Sequence, residues 1–350
     1  MGEKHNVRFE PVGIEIEVDE GQTILRAAAE NGVQLMHGCK EGQCAACKSF
    51  VLEGEDIELD RYSTFALPDY EREEGLTLLC RAHAYEDVVI ELLNYDEEII
   101  RSGLPLRRGV AEIVSIDPVT HDMRHLTMRL TEAADLRYFP GQYLDITVPG
   151  SQESRSFSMA SPPDRQGRVD FIIKLYPGGA FSEYLRSRAR PGDLVDVEGP
   201  FGTFTLRESR QSDLVFVAGG AGLAPVLALL RSMAERGIDR KAVFYYGVRG
   251  QADLCFETEL RDLEDRLPGF RYVPALSEPG EADWDGEVGL VTDVVRRREP
   301  DLTGRDAYLC GPPPMVEAAI PLLEQLGVRT TDIFYDKFTT TGDPEGEDGS

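Results

Sequence analysis

The alternation of apolar and polar positions changes character twice along the chain. Val7–Phe9 and Ile14–Val18 alternate like a short antiparallel pair, with Pro11 to Gly13 as the turn. Thr23 to Glu30 is Ala-rich and predicts a helix closed by Asn31-Gly32. Lys48–Leu52, Leu76–Leu79 and Val88–Leu92 predict further strands. A twisted sheet crossed by one helix is a β-grasp, an α+β arrangement. Residues 94–107 are polar, contain Gly103 and Pro105, and read as a linker. Short alternating strands follow at Val110–Ile116, His125–Leu130 and Tyr143–Val148, separated by turns at Asp117-Pro118, Pro140-Gly141 and Pro149-Gly150, and predict a small antiparallel β-barrel. From about Gln211 the pattern is different again. Asp213–Ala218 is a continuous apolar run, the mark of a buried parallel strand. Segments at Lys241–Tyr246, Glu257–Asp265, Phe270–Ala275, Val288–Arg297, Ala307–Cys310 and Met315–Leu326 then alternate strand with helix, as in a doubly wound α/β unit. The expected domains are 1–100, 107–209 and 211–338, with an acidic, disordered tail over 339–350.

Length agrees with this division, because 350 residues are too many for one ordinary core. No apolar run approaches the ~18 residues of a membrane span. The start, MGEKHNVRFEPVG, lacks the apolar core of a signal peptide, so a soluble, cytoplasmic protein is expected. The net charge of −26 argues against nucleic-acid binding, which needs clustered Lys and Arg. The acid is uneven: residues 1–103 carry 9 basic and 23 acidic side chains. That distribution suits either plain solubility or a face that steers a basic partner.

Chemistry concentrates in the cysteines. Cys39, Cys44, Cys47 and Cys80 form C-x4-C-x2-C followed by a distant fourth Cys, the spacing of a plant-type [2Fe–2S] cluster. Zinc sites prefer C-x2-4-C knuckles in pairs, and only one close pair exists here; zinc or redox thiols are the other readings. Gly38, Gly42, Ala45 and Ala46 are small, so the loop can wrap the sulfurs. His37 stands beside the loop and reads as a bystander, since all four Cys are present.

Two further segments carry glycine where an anion would approach backbone. Pro177-Gly178-Gly179-Ala180-Phe181-Ser182 precedes a helix expected at Glu183–Ser187, with Ser182 as its cap. Gly219-Gly220-Ala221-Gly222-Leu223-Ala224-Pro225 joins a buried strand to an apolar helix, Val226–Ala234, where a dinucleotide pyrophosphate fits. Cys310-Gly311-Pro312 closes another strand at its C-terminal end. Gln251–Leu260 has no Lys or Arg and carries Asp253, Glu257 and Glu259, with Arg249 the only nearby cation. A 2′-phosphate needs basic partners, so NADH is expected over NADPH.

These strings resemble a known family. HGCKEGQCAACKSF with LTLLCRAHA is similar to a plant-type ferredoxin domain. Arg155-Ser156-Phe157-Ser158, Pro177–Ser182 and Gly199–Gly202, in that order, resemble the flavin domain of the ferredoxin-NADP reductase superfamily. The resemblance implies that Arg155 pairs with the flavin pyrophosphate, Phe157 stacks on the isoalloxazine and Ser158 approaches its N5 edge. Tyr is commoner than Phe at 157, and either aromatic can stack. Ser156, Ile173, Lys174, Gly179, Ala180, Phe181 and Ser182 complete the implied flavin contacts. Gly219, Gly220, Gly222, Pro225, Gly247, Arg249, Cys310, Gly311 and Pro312 match the pyridine-nucleotide half, with Cys310 beside the nicotinamide. Cys310, Phe157 and Ser158 are the implied catalytic residues. The terminal Ile333–Phe338 resembles reductases in which an aromatic covers the flavin, here Phe338 or Tyr335. The order ferredoxin–FAD–NAD resembles the reductase components of bacterial multicomponent oxygenases, most of all those of soluble di-iron monooxygenases of the propane, methane and phenol types. It implies FAD rather than FMN. It also implies a free monomer that docks a di-iron hydroxylase through its acidic ferredoxin domain. A reductase serving a Rieske-type aromatic-ring dioxygenase is the alternative, and a pure electron carrier with an idle nucleotide fold is a second.

Overall fold

The computed structural model describes residues 3–131, 136–280 and 284–339. Alternation in Lys4–Glu10 and Ile14–Asp19 puts Val7, Phe9, Ile16 and Val18 on one buried face. The two strands pair antiparallel, and Lys4–Glu10 pairs in parallel with Val88–Leu92. Lys48–Glu53 and Leu76–Leu78 extend the sheet beyond Val88–Leu92. The Thr23 hydroxyl caps the helix Ile24–Glu30 by accepting from the Arg26 N–H, and the helix lays Ile24, Ala27 and Ala28 on the sheet. This is the expected β-grasp.

The stretch expected to be a linker is partly helical. Glu97–Arg101 forms a short helix whose N-cap is Asp96, accepting from Glu98 and Ile99 N–H groups at 3.1 and 3.4 Å. Ile99 and Ile100 are buried. Two apolar residues in a polar run are too few to show a periodicity, which is why composition hid this element.

Six antiparallel strands form the second sheet, in the order Ser154–Ser158, Tyr143–Thr147, Leu194–Phe201, Arg107–Pro118, Met123–Leu130, Arg168–Lys174. A bridge between Met159 and Phe171 joins the two ends, so the barrel is nearly closed. The helix expected at Glu183–Ser187 begins earlier, as one α-turn over Ala180–Glu183 that runs into a π-helical Tyr184–Arg188. Gly179 occupies the cap position. Ser182 is therefore not a cap; its hydroxyl accepts from the Tyr176 N–H at 2.9 Å and ties the turn to the preceding strand.

The third sheet is wholly parallel. Leu214–Gly219 lies between Ala242–Val248 and Asp306–Gly311; Phe270–Leu276 and Glu287–Val288 continue one side, and Ile333–Lys337 the other. Leu214, Phe216 and Ala218 pack on one face, while Val215 and Val217 pack on the other. That two-sided burial is why the strand reads as an unbroken apolar run. Helices Leu223–Arg236 and Glu257–Arg266 cover the first face, and Val291–Arg298 and Pro313–Gln325 the second. The chain reverses its direction of sheet growth between Leu214–Gly219 and Asp306–Gly311, and ligands of such sheets bind at that switch point.

One side chain joins all three units. Arg207 has no exposed surface. Its Nε donates to Asp96 at 2.8 Å, and one terminal nitrogen donates to the carbonyls of Thr203 and Thr205. Its guanidinium lies 4.0 Å from the centre of the Phe334 ring, and its backbone N–H donates to the Tyr308 hydroxyl. A buried charge that loses its partner is strongly destabilising. Asp96→Ala removes both the cap of Glu97–Arg101 and the carboxylate facing Arg207. We expect a loss of about 3 kcal/mol in urea unfolding, against a smaller loss for Asp96→Asn, which keeps the cap.

Candidate functional site

The loop between the helix Ile24–Glu30 and the strand Lys48–Glu53 brings four sulfurs together. All four cysteines are free thiols. Cys44 donates to Cys39, and Cys80 donates to Cys47, so the sulfurs stand as two close pairs. The Cys44 and Cys80 contacts push Cys39 down to about 5 and Cys47 below its ordinary value, and their partners are raised. Backbone N–H groups turn toward the same atoms: Glu41 and Gln43 toward Cys39 at 3.4 and 3.3 Å, and Cys39 toward Cys44 at 3.3 Å. Two thiolate pairs ringed by N–H donors suit a dinuclear iron–sulfur cluster. The wrap has a conformational cost. Lys40 and Ala45 adopt left-handed φ values of 59° and 57°, and side chains at such φ are strained. A Cβ on Gly42 would stand 2.8 Å from the Tyr62 Cβ, so the loop packs against its neighbour without room for a side chain there.

The cluster loop docks on the barrel. Lys40 Nζ lies 2.7 Å from the Asp145 carboxylate and 3.6 Å from the centre of the Phe201 ring. Arg26 pairs with Glu198 at 2.7 Å. Ala29, Leu106, Tyr143 and Phe201 form a small apolar cluster across the same seam. His37 meets the Tyr143 ring edge-on, with centroids 6.4 Å apart. It is thus an interface residue rather than a bystander.

The same face of the ribbon formed by Tyr143–Thr147 and Ser154–Ser158 also reaches the parallel sheet. Tyr143 pairs with Ser158 and Leu144 with Phe157. Ser158 is buried and its hydroxyl donates to Asp336. Asp336 pairs in register with Cys310, which is fully buried. Burial pushes the Asp336 carboxyl up to about 7 and the Cys310 thiol well above its ordinary value. Phe338 is half-buried and its N–H donates to the Gly311 carbonyl at 2.9 Å. Tyr335 is 45% exposed. Of the two terminal aromatics, Phe338 is the one bonded through its backbone to the Gly311 turn. Phe157 packs on Phe181 with centroids 4.8 Å apart, and Ser156 donates to Asp145 at 2.6 Å. Arg155 pairs with Glu153 at 2.7 Å, near the barrel surface. Ile173 is buried, and Lys174 pairs with Asp122 at 3.3 Å.

At the switch point two turns are pressed together. A Cβ on Gly222 would lie 2.2 Å from the Cys310 carbonyl oxygen, and one on Gly311 2.8 Å from that of Gly219. Gly247 is equally crowded, by Val291 at 2.8 Å. Gly220 has φ 55° and open space where a Cβ would be, so backbone borders the crevice. Pro225 is buried in the first turn of the helix that follows. Arg249 lies 3.7 Å from both Asp122 and Asp253. Asp336 is a site residue that sequence reasoning missed, although it lies within the recognised terminal segment Ile333–Phe338. The seam contacts of Lys40 with Asp145 and of His37 with Tyr143 were not foreseen either.

A sulfur cage, a barrel with a buried Ser–Asp–Cys line at its edge and a glycine-lined nucleotide crevice, in one chain, define an iron–sulfur flavoprotein reductase. The family comparisons agree segment by segment: residues 7–85 match the 2Fe-2S iron-sulfur cluster binding domain, 110–206 the oxidoreductase FAD-binding domain and 216–320 the oxidoreductase NAD-binding domain. The chain is 48% identical to the reductase component of propane 2-monooxygenase from Rhodococcus jostii (strain RHA1), over 97% of this chain and 93% of that one. It is 38% identical to the reductase component of phenol 2-monooxygenase from Pseudomonas sp. (strain CF600), over 98% and 97%. A solved cytochrome P450 reductase from Amycolatopsis superposes with a TM-score of 0.85 at 31% identity, covering 96% of this chain and 99% of that one. The chain belongs to the family of monooxygenase reductase components, ferredoxin-NADP reductase-type flavoproteins with an N-terminal [2Fe–2S] ferredoxin domain.

Two substitutions test the geometry. Gly222 has φ −60°, which any residue adopts, so Gly222→Ala tests crowding alone. It must separate the two turns, and we expect a loss of about 2–3 kcal/mol in unfolding free energy with weakened nucleotide binding by titration. Asp336 holds a proton in the folded state that the unfolded chain releases. Folding therefore loses stability as pH rises from about 4 to about 7. Asp336→Asn lacks this penalty. Its unfolding free energy relative to the parent, from urea titrations, should rise by about 2 kcal/mol between pH 5 and pH 8.

Proposed function

We propose that this chain takes a hydride from NADH and delivers single electrons to the hydroxylase component of a di-iron monooxygenase, which docks on the ferredoxin unit. The observation that carries the reading is the continuous arrangement of sites. One face of the barrel ribbon, Tyr143–Thr147 with Ser154–Ser158, meets both the cysteine loop and the Asp336–Cys310 strand pair. FAD supplies the conversion of two-electron to one-electron chemistry, and the cluster supplies the one-electron exit.

The chain's own residues bind and orient. Arg155 and the Gly178–Ser182 turn hold the flavin phosphates, and Phe157 and Phe338 enclose its ring. Ser158 lies at the hydride-accepting edge, and Asp336 accepts its hydrogen bond and keeps the hydroxyl aimed. Gly219, Gly220 and Gly222 cradle the nucleotide, and the buried Cys310 packs against the nicotinamide as a neutral thiol. Arg249 is already engaged by Asp122 and Asp253, and Gln251–Leu260 is acidic, which supports NADH over NADPH. Phe65 is 89% exposed on the segment whose Ser63 N–H donates to Gly42 of the cluster loop. An exposed aromatic beside the cluster, on an acidic unit, suits docking there. A cytoplasmic monomer is consistent with this role; among the described residues no helix is long and apolar enough to cross a membrane.

The test is reconstitution with NADH or NADPH and candidate hydroxylases. Flavin reduction should favour NADH by at least about tenfold, as expected where Arg249 is engaged by carboxylates and the following segment is acidic. Cys44→Ser should abolish hydroxylase reduction and leave flavin reduction intact. A preference for NADPH would overturn the cofactor reading, and loss of flavin reduction in Cys44→Ser would overturn the modular one.

A further inference from the structure

Two side chains in contact at the seam between cluster loop and barrel each carry an enclosed polar atom without a partner among the described residues. Tyr143 is 6% exposed, and its hydroxyl is enclosed without a hydrogen bond. His37 Nε2 is enclosed and unpartnered as well. His37 Nδ1 lies 2.8 Å from the Leu35 carbonyl oxygen. A carbonyl only accepts, so Nδ1 carries the proton and Nε2 offers a lone pair, while the Tyr143 hydroxyl is a donor. The two rings are in edge-on contact with centroids 6.4 Å apart. Leaving both buried and unpaired is costly.

We propose that Tyr143 and His37 form this hydrogen bond, directly or through one water, and that it holds the cluster loop at the separation from which the flavin reduces the cluster. His37 lies two residues before Cys39, and Tyr143 is in register with Ser158. The bond therefore ties the exit site to the strand that carries the hydride-accepting site. Both are positioning residues. The flavin loses one electron and the cluster gains one, and no proton moves at the pair. The proposal rests on the flavin-to-cluster transfer described above and adds the residues that set its distance.

The test follows flavin and cluster absorbance separately after mixing the FAD- and cluster-loaded protein with NADH. Tyr143→Phe, His37→Phe, their double variant and His37→Gln are compared with the parent. Flavin reduction should stay within about twofold throughout, since neither side chain touches the nucleotide crevice. Flavin-to-cluster transfer should slow about tenfold in each Phe variant, the effect of one lost buried hydrogen bond. The double variant should be no slower than either single, and His37→Gln, which restores an acceptor, should recover most of the rate. Urea midpoints of the same four proteins give a second readout that needs no turnover: the losses of the two single variants should not add in the double. Additive losses, or an unchanged transfer rate, would overturn the pair. So would loss of FAD from Tyr143→Phe alone, which would assign the hydroxyl to the flavin. A parent protein that cannot reduce its own cluster would sink the functional reading instead, and the urea comparison would still decide the pair.

Discussion

A guanidinium shut off from water is the constraint on which the rest of this structure depends. Arg207 has to find its partners inside the protein, and it finds them in three different units. Asp96 belongs to the helix packed on the ferredoxin sheet, Thr203 and Thr205 to the end of the barrel, and Phe334 to the parallel sheet. None of these elements can rotate without exposing or unpairing the charge. The network continues outward: Arg240 pairs with Asp306 at 2.7 Å, and Arg210 reaches both Asp306 and Asp332. Apolar packing reinforces it, because Met123, Ala160, Ile172 and Phe204 of the barrel belong to the same core as the strands and helices of the nucleotide unit. The three units are thus held in one arrangement by groups that meet these partners only in that arrangement.

What the arrangement achieves is proximity across one face of a two-stranded ribbon. Tyr143–Thr147 touches the cluster loop through Lys40 and His37, while its neighbour Ser154–Ser158 presents Ser158 to Asp336 and Cys310. Strands in a sheet lie about 5 Å apart. An electron entering beside Ser158 therefore has little protein to cross before it reaches the cluster side. The seam itself uses the few basic residues the unit owns, Lys40 and Arg26, against Asp145 and Glu198 of the barrel.

The sequence by itself determined a great deal. Cys39, Cys44, Cys47 and Cys80 are legible because a metal cluster demands ligands at fixed local spacing. Gly219–Gly222 and Cys310–Pro312 are legible because a buried strand ending in glycine has a pattern of its own. Alternation over Lys4–Asp19 and the unbroken apolar run of Leu214–Gly219 distinguish a half-buried sheet from a doubly buried one, and so the three kinds of fold. Tertiary structure alone decided the rest. It turned a polar connector into a capped helix, because Asp96 and Ile100 act through partners outside the segment. It placed Ser182 inside a turn instead of at its head. It chose Phe338 over Tyr335, since two aromatics three residues apart look alike until a sheet sends one inward. Above all it brought Lys40 to Asp145, His37 to Tyr143 and Asp336 to Ser158, pairs separated by 100 residues or more. The physical reason is the same in each case. Local patterns record what a residue does with its near neighbours and with water, whereas a contact across a domain seam leaves no periodicity in either partner.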